Sequence, residues 1–165
     1  MIKKRLRDDR YTLIKTTHYP YVSPDIKKRP KHKAIIGVGG NIGDVIRRFE
    51  HLYYYLERSK GVDLRESVPV LRNPPFGFLE QDDFYNTVMV LDTSMTPKEL
   101  MRFLLHTEKV FGRRRTRKDG PRTLDLDILF YDAVKIDTKQ LKIPHPEWMN
   151  RDSVLIPLMY LKGNK

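Results

Sequence analysis

The spacing of apolar and polar positions changes period several times along the chain, and each change marks an element. AIIGV (34–38) is a continuous apolar run of strand length. Val45, Ile46, Phe49, Leu52, Tyr53 and Leu56 then recur at the spacing of one helix face, with Asn41 or Asp44 available as the cap. VDLRESVPVL (62–71) and FYNTVMVL (84–91) are rich in β-branched and apolar residues and predict two strands joined by RNPPFGFLEQDD. A connection that long between paired strands exceeds an ordinary hairpin loop, and such loops tend to carry function. Thr96, Pro97 and Glu99 form a capping box with proline at the first helical position. They open a helix to about Phe111, with Leu100, Phe103, Leu104 and Val110 as its apolar positions. TLDLDILFY (123–131) alternates as a long strand. The order β-α-β-β-α-β predicts an α+β, ferredoxin-like fold, an antiparallel sheet with helices packed on one face and long loops that would carry a site. Beyond residue 131 the pattern weakens to short strand-like pieces and a final helical turn. Residues 1–32 have no convincing periodicity and end in a Pro- and Lys-rich stretch, which predicts a flexible basic arm ahead of a domain spanning 33–165. Its removal is expected to leave activity unchanged.

Within the last long strand Leu124, Leu126, Ile128 and Phe130 point one way, and Thr123, Asp125, Asp127 and Leu129 the other. Two ionised carboxylates on one face, with Cβ atoms roughly 7 Å apart, repel unless a cation lies beside them. The candidates are a divalent metal or the upstream Arg113, Arg114, Arg115, Arg117, Lys118 and Arg122. The ordinary alternative is a solvated D-x-D with loose ion pairs. The GPR turn and the adjoining basic run favour a site, because polyphosphate with divalent metal satisfies both halves. Metal would bridge Asp125, Asp127 and phosphate oxygens while the arginines neutralise the remainder.

Charge changes the picture only through its location. Of the net +11, residues 1–33 hold a surplus of eight, from eleven Lys and Arg against three Asp, and 113–122 a surplus of five, which leaves the rest slightly acidic. A basic tail plus one cluster is not the broad stripe expected for duplex binding. With no cysteine, disulfides and thiolate chemistry are excluded, and a reducing compartment is the expectation. No apolar run reaches the length of a membrane span. VGGNIGD lacks the third glycine of a dinucleotide fingerprint, and no phosphate loop of the G-x-x-x-x-G-K-[ST] type occurs. His145 in PHP is by default structural, but with Arg151 downstream it could reach phosphate. Phe76 and Phe84 near Asn86 are core or loop anchors, or rings that stack on a flat heterocycle.

Taken together, GGNIGD, NPPFG followed by QDDFYN, E-x-x-x-GRRR, GPRTLDLDIL and IPHP with Arg151 resemble, over about residues 33–161, the 6-hydroxymethyl-7,8-dihydropterin pyrophosphokinases of folate biosynthesis. The resemblance implies transfer of the terminal diphosphate of ATP, the co-substrate, to the pterin hydroxymethyl group with release of AMP. It implies two Mg2+ ions on Asp125 and Asp127, which with Arg113 and Arg122 would be catalytic. ATP would be held by Glu108, Arg113, Arg115, Lys118, Arg122, His145 and Arg151. The pterin would be held by Asn73, Pro74 and Phe76, with Phe84 stacking, Asn86 reading its edge and Asp125 close by. It further implies small-molecule substrates, no nucleic acid, no membrane, and a monomer in the cytoplasm. Three positions depart from the family pattern: Gly40 replaces a serine, with little consequence expected, Asp119 stands where an aromatic often precedes GPR, and Ser153 replaces a phenylalanine. The rival readings are a degenerate paralogue that binds nucleotide without turnover and a basic nucleic-acid-binding module.

Overall fold

In the computed structural model, which describes residues 1–6, 8–24, 31–114 and 120–162, the run after the long loop becomes the central strand of the sheet. In chain order the strands are β1 (Ile2–Arg5), β2 (Thr12–Lys15), β3 (Tyr21–Val22), β4 (His32–Gly40), β5 (Val62–Ser67), β6 (Val70–Asn73), β7 (Phe84–Thr93), β8 (Asp125–Tyr131), β9 (Ile136–Asp137) and β10 (Lys142–Ile143). The helices are α1 (Val45–Arg58), α2 (Pro97–Val110) and α3 (Asp152–Leu158), with a 3-10 turn at Trp148–Asn150. β7 pairs antiparallel with β4 on one side; on the other, its start pairs with β6 and its end with β5. The strand predicted over 62–71 therefore divides in two, and the break falls at Val68 and Pro69, where proline has no N–H for a ladder. The sheet runs β1-β2-β6-β7-β4-β8, with β3 beside β5 and a separate β9–β10 hairpin. This is the expected ferredoxin-like α+β arrangement, enlarged at one edge.

The two long helices form where the pattern placed them. Asp44 caps α1, its side chain accepting from the Arg47 N–H at 3.1 Å, so Asn41 is released for another task. The Thr96–Glu99 capping box opens α2 as expected. Val110, expected as an apolar inward position, is 54% exposed, and Thr107 and Glu108 turn inward instead. α1 and α2 cover one face of the sheet, packing Phe49, Leu52, Leu56, Leu100 and Leu104 against Ile36, Val38, Met89 and Leu91. α3 lies on the opposite face, where Val154 and Leu158 pack near Ile35, Val88, Val90 and Leu129.

Phe130 is a correction. Its alternation placed it with Leu126 and Ile128, yet it packs with Leu129 on the α3 face. Ile35 pairs with Phe130 and Ile36 with Ile128, which leaves Leu129 as a bulge that switches the phase of the strand. Asp125 and Asp127 precede the bulge and keep the expected shared face.

The expectation of a flexible arm over 1–32 is also corrected for its described residues. β2 pairs with β6 and β3 with β5, which covers the outer edge of both strands. Leu13, Ile14 and Tyr19 are buried, and the Tyr19 hydroxyl donates to the Phe49 carbonyl of α1 at 2.7 Å. These residues have too short a run to show a period, but a neighbouring strand edge gives them a partner. Among the described residues no helix is long and apolar enough to cross a membrane.

Candidate active site

The site begins at the C-terminal end of α2. Gly112 has φ +84° and closes the helix: its N–H donates to Lys109 O and the Arg113 N–H to Glu108 O, both at 3.0 Å. Paired bonds of this kind are the Schellman closure, and they turn the chain back so that Arg113 returns to its own helix. Arg113 Nη1 donates to Glu108 Oε2 and Asp125 Oδ1, each at 2.8 Å. Glu108 is buried, and its Oε2 also accepts the Leu126 N–H at 2.7 Å, satisfying a backbone donor on the open edge of β8. Burial pushes the Glu108 carboxyl up, against the opposing pull of the Leu126 N–H and Arg113. Glu108 thus holds Arg113 and β8 in place rather than facing a cavity.

Arg122 approaches Asp125 from the other side, Nη1 donating to Oδ2 at 2.9 Å. Its loop is pinned to the end of β4. The Asn41 N–H donates to Arg122 O and the Arg122 N–H to Asn41 Oδ1, both at 3.0 Å. The Asn41 amide also donates to Gln81 Oε1 at 2.9 Å and Asp82 O at 3.0 Å, joining this loop to the long loop before β7. Arg48 of α1 donates to Ile42 O at 2.6 Å and Thr123 O at 2.9 Å. Gly40 is the close approach that allows this: a Cβ there would lie 2.5 Å from Thr123 O. The serine-for-glycine difference, expected to matter little, therefore has a steric consequence. We expect Gly40→Ala to lower kcat at least tenfold by displacing the Thr123 carbonyl and, with it, Arg122 and Asp125, since catalytic misplacement of ~1 Å costs about 100-fold. Steady-state kinetics on a variant shown by circular dichroism to be folded would check this.

Asp125 and Asp127, two residues apart on β8, line different cavities. Asp125 lines a cavity of about 70 Å³ with Gly39, Asn73, Phe76, Phe84, Asn86, Arg122, Arg151 and Ser153. Asn86 Nδ2 donates to Asn73 Oδ1 at 2.7 Å, so two amides share one wall. The Arg122 guanidinium lies 5.7 Å from the Phe84 ring centroid and that of Arg151 5.4 Å from Phe76. Each ring thus has a flat cation over its face, the place a planar heterocycle would take. Pro74 is not among the described residues lining this cavity, and its carbonyl accepts from Asn73 Nδ2 at 2.9 Å.

Asp127 lines a larger cavity of about 310 Å³ at the open edge of β8, with Met101, Leu104 and Leu105 of α2, Leu141 and His145. His145 Nδ1 accepts from the Glu147 N–H at 3.1 Å, which leaves Nε2 to carry the proton of the neutral ring. Burial and then Arg151 hold its pKa below the usual histidine value. The Asp127 carboxylate has no hydrogen bond or ion pair among the described residues, whereas that of Asp125 has two arginines. Burial and then Asp125 push the Asp127 carboxyl up to about 7. Among the described residues this half-buried carboxylate, held against a second one, feels Arg113 and Arg122 only at a distance.

The structure thus brings together Asn73, Phe76, Phe84, Asn86, Arg113, Arg122, Asp125, Asp127, His145 and Arg151. It places Glu108 behind them and Pro74 at the margin. Arg115, Lys118 and Asp119 lie outside the described residues. Sequence reasoning missed the clamps made by Asn41 and Arg48, and the cavity wall of Met101 and Leu105. That wall did leave a signal: both are apolar, four residues apart on α2, and off the inward stripe of Leu100 and Leu104.

A family description, 7,8-dihydro-6-hydroxymethylpterin-pyrophosphokinase, matches residues 35–163. The chain is 36% identical over 129 residues to the 2-amino-4-hydroxy-6-hydroxymethyldihydropteridine pyrophosphokinase of Helicobacter pylori, covering 77% of this chain and 79% of that protein. It is 38% identical over 144 residues to the protein of the same description from Campylobacter jejuni, covering 87% and 91%. To that from a Synechocystis species it is 39% identical over 137 residues, covering 83% and 70%. The comparisons lend no support to a nucleic-acid-binding module or to an inactive paralogue.

Proposed function

Because the chain belongs to the 7,8-dihydro-6-hydroxymethylpterin-pyrophosphokinase family, whose members transfer a diphosphoryl group from ATP to hydroxymethyldihydropterin in folate biosynthesis, we propose that its two cavities divide these substrates across the Asp125–Asp127 pair. The observation that carries this reading is that the two carboxylates line different cavities, Asp125 the smaller and Asp127 the larger. The smaller suits a pterin: Phe84 and Phe76 offer ring faces, and Asn73 and Asn86 offer amides for its donor and acceptor edge. The larger has an apolar wall for a base, and His145 Nε2–H faces phosphate as a neutral donor.

The donor set fits magnesium. It consists of hard carboxylate oxygens, and one of the two groups, Asp127, is half-buried with no ion pair among the described residues. Among the described residues no group of three or more ligating side chains exists, which agrees with a metal held by one or two carboxylates plus substrate phosphates. Asp125 and Asp127 would hold it, and we propose two ions. Bound there, magnesium supplies charge neutralisation and polarisation of the phosphoryl oxygens.

The remaining work falls to the chain. Arg113 and Arg122, both held on Asp125, are the cations among the described residues best placed to meet the transferring diphosphate, and Arg151 reaches in from the smaller cavity. Arg115 and Lys118 join them on the strength of the resemblance. Glu108 serves ATP indirectly, by fixing Arg113. The substrate hydroxymethyl oxygen attacks the β-phosphorus, its proton is released, and the bond to AMP breaks. Alignment of two bound substrates and arginine charge supply most of the acceleration. A monomer in the cytoplasm, where ATP and a reduced pterin are both available, completes the proposal.

Incubation with ATP, Mg2+ and 6-hydroxymethyl-7,8-dihydropterin should yield AMP and diphosphorylated pterin in equal amounts. ADP as the only nucleotide product, or AMP formation independent of pterin, would refute the assignment.

A further inference from the structure

We propose that the N-terminal segment is a positioning strap for the substrate pocket: the Tyr11 hydroxyl fixes the first turn of α3, and with it Arg151 and Ser153, so that the segment tunes pterin affinity. The proposal rests on the assignment of the smaller cavity to the pterin. The family match begins at residue 35, well after this segment.

The Tyr11 hydroxyl donates to Asp152 Oδ2 at 2.9 Å, across 141 residues of sequence. Asp152 is the first residue of α3, and its two chain neighbours, Arg151 and Ser153, both line the cavity. Arg151 stands at the N-cap position without a side-chain cap bond, and its Nε is buried with no partner among the described residues. Further along α3, Val154 and Leu158 pack on the sheet. Among the described residues the Tyr11 contact is the side-chain hydrogen bond that ties down the opening turn.

Tyr11 is itself anchored. Its N–H donates to Asp8 O at 2.9 Å and its carbonyl accepts from the Leu6 N–H at 3.1 Å, closing the β1–β2 hairpin. The three following residues, Thr12 to Ile14, pair with Arg72, Leu71 and Val70 of β6, and the next residue of β6 is Asn73. One hairpin therefore joins two walls of the cavity, Asn73 on β6 and Arg151 with Ser153 on α3. A planar ring needs its walls at a fixed separation, and in a cavity of about 70 Å³ a small shift of α3 changes the fit. The described residues that line the larger cavity, built on α2 and β8, include none from the hairpin, β6 or α3.

Tyr11→Phe keeps the ring and removes only the hydroxyl. We expect KM for hydroxymethyldihydropterin to rise about threefold to tenfold, the effect of one hydrogen bond to a charged group. KM for ATP should rise less than that for the pterin, because Arg151 also faces ATP, kcat should change less than twofold, and Tm should stay unchanged. Asp152→Ala should raise the pterin KM similarly, and the double variant no further than either single one. An unchanged pterin KM in Tyr11→Phe, or additive effects in the double variant, would overturn the proposal. So would a rise in both KM values with a fall in Tm, which marks a merely structural bond. Asn86→Ala is the control on the cavity. If it leaves the pterin KM unaltered, the cavity assignment fails and takes the proposal with it; if it raises KM while Tyr11→Phe does not, positioning alone fails.

Discussion

Replacement of Asp127 by asparagine is expected to reduce turnover by orders of magnitude and, in the ligand-free protein, to raise the melting temperature. The two effects share one cause. Asp127 is a half-buried carboxylate with no ion pair or hydrogen bond among the described residues, next to an Asp125 that already takes both arginines. Burial and the neighbouring charge raise its pKa from 3.8 to about 7. For a carboxyl group the sign follows directly. Because the folded state holds the proton more tightly than the unfolded one, stability falls as pH rises from about 4 to about 7, and the loss then stays constant. Asparagine has no charge to bury. The variant should match the wild type near pH 4 and exceed it at pH 8, by about 1–2 kcal/mol as a relieved unpaired charge, or ~3–6 °C at this chain length. Magnesium should reverse the order, raising Tm for the wild type and much less for the variant. Thermal melts across pH 4–8 with and without MgCl2, beside steady-state rates, would test this. A variant that is less stable at pH 8, or that retains near-normal turnover at saturating magnesium, would contradict the carboxylate's assigned role.

Such a trade between stability and function explains why the Asp pair was legible in the sequence. Two like charges inside an apolar strand contradict the local pattern, and a fold tolerates the contradiction where chemistry requires it. The helices were legible for the opposite reason: the apolar stripes of α1 and α2 agree with their caps and with the strands they cover. What escaped depended on partners distant in sequence. The phase change at Phe130 follows from a bulge opposite Ile35 and Ile36, and nothing local to β8 encodes it. Asn41 reads as a helix cap until Arg122 and Gln81 converge on its amide. Gly40 looks like a harmless substitute for serine until the Thr123 carbonyl stands where its side chain would go. In the break at Pro69, by contrast, the signal was present and the continuous apolar pattern outweighed it.

Removal of residues 1–24 is expected to abolish soluble, cooperatively folding protein, the reverse of what their lack of periodicity suggests. Ile14 and Tyr19 are 2% and 0% exposed, within the core that α1 and the sheet share. Burial of a large apolar side chain contributes ~1.5–3 kcal/mol, so these two with Leu13 approach the whole net stability of about 5–15 kcal/mol typical of a domain. Polar ties add to this. Glu50 of α1 accepts from Thr16 Oγ1 at 2.7 Å and from the His18 N–H at 3.0 Å, and Ser67 Oγ donates to His18 O at 2.6 Å. Deletion would leave those partners unsatisfied and strip the cover from β5 and β6, exposing unpaired strand edges prone to pair with other chains. Point variants give a graded version of the same test. Ile14→Ala should cost about 2–5 kcal/mol, whereas Lys3→Ala and Lys4→Ala in the exposed β1 should cost under ~0.5 kcal/mol. Urea titrations followed by circular dichroism would measure each. If a protein beginning at residue 25 melted cooperatively within a few degrees of the full chain, the segment would be an addition to a self-sufficient core, and the burial of Ile14 and Tyr19 would carry none of the stability assigned to it here.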